Sequence, residues 1–203
     1  GMMYSKVIFV GDSRTAGMKA TLNKQVSSSV TRDVSFIAKA GQGLSWFQST
    51  GYTQLINEIN KTKGSKPIAV VFNLGINDMA NISNYISYMS DIASTLKSKN
   101  CKLFYMSVNP INSVMITKAG KGARTEAQVR EFNSKIRSGL SLNYKYIDTY
   151  SVLMKKGYGT NSSYSGTDAA SDDGLHYTTK TFKRIYYYCV TYLNTGSINA
   201  TYY

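Results

Sequence analysis

The chain alternates short apolar runs with stretches in which apolar residues recur every three or four positions. Residues 5–10 form the first apolar run, and a helix-compatible stretch follows over residues 14–22. Val34–Ala38 is a second run, ending at the glycine pair of AKAGQGLSWF. Leu55, Ile56 and Ile59 fall at helical spacing within residues 54–61. The segment KPIAVVFNLG is apolar without alternation, the pattern of a strand covered on both faces. Residues 82–97 predict a longer amphipathic helix with Ile82, Ile86, Met89, Ile92, Ala93 and Leu96 on one side. CKLFYMSVNP predicts a fourth strand, stopped by Pro110. Beyond it come a helix over residues 124–138 with Thr125 and Glu126 at its start, a short strand in YKYIDTY, and a last helix over residues 178–193.

Strands separated by helices of about ten or more residues imply right-handed crossovers and a parallel sheet covered on both faces. The expected class is therefore α/β, a three-layer α/β/α sandwich of about five strands. In such sheets ligands bind beyond the carboxyl ends of the strands. Residues 109–123, with Gly120 and Gly122, and residues 157–173, rich in Gly, Ser and Tyr, are expected to be loops that wall a cleft there. Neither a repeat nor a linker breaks the pattern, and 203 residues fit one domain, taken as 1–203.

Composition narrows the function. A hydrophobic content of 42% is that of a folded protein, and the longest apolar runs are strand-sized, so no membrane insertion is expected. A formal charge of +13 implies attraction to anionic surfaces or substrates. The lysines are nevertheless scattered, without zinc-finger spacing, a basic helical block or an RNA-binding aromatic signature, so specific nucleic-acid binding is not expected. Cys101 and Cys189 are far apart, readable as one long-range disulfide or as two buried thiols. Because His176 is the only histidine, a multi-histidine metal site is excluded. Gly1 before Met2 and Met3 reads as a cloning remnant that hides whether a signal peptide preceded it. The Tyr-, Asn- and Ser-rich, Glu-poor composition leans toward export by a bacterium.

Four short stretches carry candidate chemistry. In FVGDSRTAGM a strand hands over to a helix at Gly11-Asp12-Ser13. Either Asp12 or Ser13 caps that helix, or Ser13 is a nucleophile beside free N–H groups that favour developing negative charge. In GIND, Asn77 is either an ordinary turn residue or an amide donor to an oxyanion, with Asp78 holding the loop. Gly41 and Gly43 make a tight turn, a close-approaching backbone N–H, or both, with the Ser13 N–H as a further donor. In SDDGLHYT, His176 is the one imidazole available as a base. Asp173 lies three residues earlier across Gly174, and suits that partnership better than Asp172. A nucleophile, amide donors and a base with its orienting carboxylate make up the set that acyl transfer requires.

These residues resemble the SGNH, or GDSL-type, hydrolase family. GDS at Gly11–Ser13, a glycine of AGQG, GIND and DGLH match its four blocks in order, and the resemblance covers most of residues 5–194. It implies a flavodoxin-like sandwich and ester hydrolysis with no cofactor and no metal. It also implies Ser13 as nucleophile, His176 as base and Asp173 as its partner, with an oxyanion hole of Ser13 N–H, Gly41 N–H (or Gly43) and Asn77. The first block reads GDSR where many members have leucine, which sets Arg14 beside the cleft.

The expected reaction is two-step hydrolysis of a small acyl ester, foremost acetyl, on a carbohydrate. Trp46, Tyr158 and Tyr164 are candidate sugar-stacking residues or else packing residues. Arg14, Lys118, Lys121 and Arg124 are candidate contacts for an anionic glycan, the last three reading more readily as solvated surface. The alternatives are a lipid or thioester hydrolase, and a non-catalytic binder of anionic polymer. No partner protein is indicated.

Overall fold

Each of the central strands sends alternate side chains to opposite sides of one sheet, which is why their sequences are apolar throughout rather than alternating. In β1 (Lys6–Gly11), Ile8 and Val10 enter one core while Val7 and Phe9 enter the other. In β3 (Ile68–Asn73), Ile68, Val70 and Phe72 oppose Ala69 and Val71 in the same way. The computed structural model describes residues 3–201; Gly1 and Met2, read above as a cloning remnant, lie outside the described residues.

The sheet has five parallel strands in the order β2-β1-β3-β4-β5, completed by β2 (Val34–Ala38), β4 (Cys101–Met106) and β5 (Lys145–Ile147). One face is covered by α3 (Tyr52–Lys61), α4 (Ile82–Ser98) and α6 (Glu126–Gly139). The other is covered by α1 (Ser13–Gln25), α7 (Thr149–Lys156) and α8 (Thr179–Thr195). The result is a three-layer α/β/α sandwich. Its strand order reverses between β1 and β3, which opens a crevice at their carboxyl ends.

The expected elements are present, with five differences. Residues 44–51 are helical, α2 (Leu44–Trp46) running through one π-type turn (Phe47–Gly51) into α3. The segment 109–123 contains α5 (Ser113–Lys118), capped by Asn112, and residues 149–156 form α7, capped by Asp148. Both are too short to show a helical apolar period, so their caps alone signalled them. Within 157–173 and just beyond, β6 (Thr160–Asn161) pairs antiparallel with β7 (His176–Tyr177). Finally, β4 stops at Met106 rather than at Pro110. Side-chain amides end it: Asn73 donates to the Met106 and Ser107 carbonyls, and Asn133 pairs with both backbone groups of Val108.

Candidate active site

Ser13 is the first residue of α1, two residues past the end of β1. The cap of that helix is Asp12, whose Oδ1 accepts the Arg14 N–H at 3.0 Å. With capping taken by Asp12, the Ser13 hydroxyl is left to another partner, and that partner is His176 Nε2 at 2.9 Å, across 163 residues of chain. The Ser13 N–H, in the first turn of the helix, has no acceptor within it. Burial holds the Asp12 carboxyl up at about 6, against the pull of the Arg14 charge and N–H.

His176 opens β7, three residues after Asp173. Gly174 takes a φ of +70°, and a Cβ there would lie 2.2 Å from the Asn112 carbonyl oxygen, so only glycine makes this turn. The turn brings both ends of the Asp173 carboxylate into use. Oδ1 accepts the N–H groups of Leu175 and His176 at 2.8 and 2.9 Å, and Oδ2 accepts the imidazole Nδ1–H at 2.5 Å. A carboxylate can only accept, so the proton sits on Nδ1 and Nε2 is free to accept from Ser13. Asp172 serves the turn instead, bonding Thr160 Oγ1 and the Gly174 N–H.

The electrostatics match that tautomer. Burial pushes the Asp173 carboxyl up, but the His176 and Leu175 N–H groups and the imidazole outweigh it and hold it below its ordinary value. Burial pushes His176 down more strongly than Asp173 raises it, with Arg14 and Lys121 adding to the fall, so the ring is neutral at neutral pH. Tyr164, 43% exposed, stacks on the imidazole with ring centroids 4.7 Å apart and an interplanar angle of 28°.

Two loops face this cluster across the switch point. Gly41 has a φ of +75° and open space where a Cβ would project. Gly43 differs, because a Cβ there would lie 2.3 Å from Asp78 Oδ2. Asp78 ties the two loops together, accepting the Leu44 N–H at 2.9 Å and the Tyr85 hydroxyl at 2.5 Å. Asn77 donates its Nδ2–H to the Gln42 carbonyl at 2.9 Å, and its Oδ1 accepts from Arg124 Nη2 at 3.1 Å.

Arg14 corrects an expectation. It is 5% exposed and is not presented to a substrate. Its Nε, Nη1 and Nη2 each donate at 2.8 Å, to the carbonyls of Leu175, Asn109 and Pro110, and its guanidinium lies 4.8 Å over the Tyr177 ring. A planar fork that meets three carbonyls at once is a bolt between the Ser13 helix and the His176 loop. Trp46 is half-buried against the core and against Gly51, with part of it exposed. Tyr158, half-buried, donates to the Ile111 carbonyl and meets Tyr177 edge-on. Lys118 and Lys121 are exposed. Cys101 and Cys189 are separate buried thiols in the two different cores, which excludes the disulfide. Among the described residues no three His, Cys, Asp or Glu side chains are grouped to hold a metal, and no helix is long and apolar enough to cross a membrane.

A family model described as GDSL-like lipase/acylhydrolase matches residues 7–188. No curated protein matches the chain. Among solved structures, a protein of Bacteroides fragilis NCTC 9343 assigned as an acylhydrolase is 17% identical over 95% of this chain and 88% of its own, with a TM-score of 0.68. An acetyl xylan esterase is 14% identical over 94% and 99% of the two chains, with a TM-score of 0.63. A lipolytic G-D-S-L protein of Veillonella parvula DSM 2008 is 17% identical over 94% and 96%, with a TM-score of 0.54. At these identities the structural matches establish a shared fold.

Proposed function

The chain belongs to the GDSL-like lipase/acylhydrolase family and is an ester-bond hydrolase; from that premise we propose that Ser13, His176 and Asp173 form its catalytic triad and that it removes small acyl groups, acetyl foremost, from a carbohydrate. The observation that carries this reading is the unbroken hydrogen-bond path from Ser13 Oγ through the imidazole to Asp173. Ser13 Oγ attacks the ester carbonyl while Nε2 takes its proton. The tetrahedral oxyanion is met by the N–H groups of Ser13 and Gly41 and by the Asn77 amide. The imidazolium, steadied by Asp173, then protonates the departing alcohol oxygen. Water enters, loses a proton to Nε2 and adds to the acyl carbon, and collapse of the second intermediate returns Ser13 and releases the acid.

Three features support the substrate class. The exposed ring of Tyr164, against His176, offers a sugar an aromatic face beside the reacting atoms. The surrounding 157–173 segment is polar and hydrogen-bonded to itself rather than an apolar acyl groove. The acetyl xylan esterase of the same fold spans nearly the same length. Lys121, whose charge acts on His176, adds a preference for anionic glycan.

The test is turnover of p-nitrophenyl acetate and release of acetate from acetylated polysaccharide, with Ser13→Ala as control. Ser13→Ala is expected to lower kcat by about 10⁴-fold or more; activity that survives it removes the nucleophile assignment. In a chain-length series of p-nitrophenyl esters the optimum is expected at the acetyl end. A long-chain optimum identifies a lipid or thioester hydrolase instead.

A further inference from the structure

Arg124 stands just before Thr125, the cap of α6, where the sequence offered it as a glycan contact or as solvated surface. Its position is rigid. Thr125 caps α6 in a reciprocal capping box with Gln128, and Glu126 anchors the same turn by accepting the Ile111 N–H and the Tyr150 hydroxyl. From that platform the half-buried guanidinium reaches the GIND loop. Its Nε donates to the Ile76 carbonyl at 2.8 Å, its Nη2 to Asn77 Oδ1 at 3.1 Å, and its Nη1 to the Gly122 carbonyl at 2.7 Å.

Nε and Nη2 present two parallel N–H groups on one edge of the guanidinium, and here that edge reads two consecutive residues of the loop. The consequence for Asn77 is chemical. A side-chain amide has one accepting end and one donating end, and the two can exchange by a half-turn. Arginine has no acceptor, so an Asn77 NH₂ group turned toward it would set donor against donor. Arg124 therefore holds Oδ1 on its own side and leaves the NH₂ end for the other, where the Gln42 carbonyl takes one hydrogen. We infer that Arg124 is a positioning residue for the reaction: it fixes the amide of Asn77 with its N–H groups toward the oxyanion site. The inference rests on Asn77 being an oxyanion donor, as proposed above.

The test is a double-mutant cycle on p-nitrophenyl acetate, with kcat and KM measured for Asn77→Ala, Arg124→Ala, Arg124→Lys and the Asn77→Ala/Arg124→Ala pair, and thermal unfolding recorded for each. Asn77→Ala is expected to lower kcat by about 10²–10³-fold, as for loss of one oxyanion donor. Arg124→Ala is expected to lower kcat by about tenfold with KM little changed, because the loop backbone and Gln42 still restrain the amide. Arg124→Lys, which can still donate to Oδ1, is expected to recover part of that loss. In the Asn77→Ala background, loss of Arg124 is expected to cost no more than about twofold, since there is no amide left to orient. Equal losses from Arg124→Ala in the two backgrounds overturn the inference while leaving the oxyanion reading intact. Full activity in Asn77→Ala removes the oxyanion reading itself, and the role of Arg124 with it. Should Arg124→Ala fail to fold, the same cycle run with Arg124→Lys decides between these outcomes.

Discussion

The His176 side of the site and the Asn77 side are held by different means. On the His176 side the contacts that orient the ring are local, with Asp173 and the imidazole three residues apart and the Leu175 and His176 N–H groups bonded to the same carboxylate. That turn is then fastened to the Ser13 helix by one buried arginine. On the Asn77 side the side-chain bonds are long-range, apart from that of Tyr85 to Asp78. Gln42, Asn77, Asp78, Leu44, Tyr85 and Arg124 come from four separate stretches of chain, with Leu44 and Tyr85 fully buried and the other four half-buried. One side is a preformed turn bolted in place, whereas the other is an assembly whose parts must each arrive. The His176 side is therefore expected to fail steeply when a single group is lost, and the Asn77 side to fail by degrees.

The steepest test of that contrast is Asp173→Asn. An amide in place of the carboxylate can donate to Nδ1 and so favours the wrong imidazole tautomer, with kcat on p-nitrophenyl acetate expected to fall by about 10⁴-fold. A loss near tenfold instead would mean that the backbone alone holds the ring. Next in size is Arg14→Leu, which leaves three inward-facing carbonyls without their donor. Urea denaturation is expected to show a loss of about 3 kcal/mol, whereas the same measurement on Arg124→Ala should show under about 1 kcal/mol. Equal losses would erase the distinction between bolt and assembly.

A smaller effect sharpens the electrostatic side. Because burial lowers the His176 pKa beneath its ordinary 6.5 and the base must be neutral to accept the Ser13 proton, kcat/KM should rise with pH and reach its plateau early. The acid limb is thus expected to have its midpoint below 6.5, with activity lost as pH falls through it; a midpoint above 6.5 would mean that Asp173 outweighs desolvation. Smallest of all, Tyr164→Ala removes a ring that only stacks on the imidazole. A change in kcat within about threefold is expected for p-nitrophenyl acetate, and a larger rise in KM for a sugar ester. The reverse split would make Tyr164 a support for His176 rather than a surface for substrate.

Local chemistry was readable from the chain alone. The apolar periods marked the five strands and the main helices, and the Asp173-Gly174-Leu175-His176 turn was implied by its own residues, because its hydrogen bonds close within four positions. Family membership followed from four such words in order. What the sequence could not assign was the role of any side chain whose partner is a distant carbonyl. Arg14 and Arg124 looked alike, as cations near a cleft, yet Arg14 spends all three of its donors, and Arg124 two beside its bond to Asn77 Oδ1, on backbone oxygens. Every residue carries such an oxygen, so no pattern of residue types announces which ones an arginine will meet; that is decided only when β1, the GIND loop and α6 pack around the same crevice. The meeting of Ser13 with His176 belongs to that second kind, since the strand order brings the two together and neither neighbourhood specifies the other.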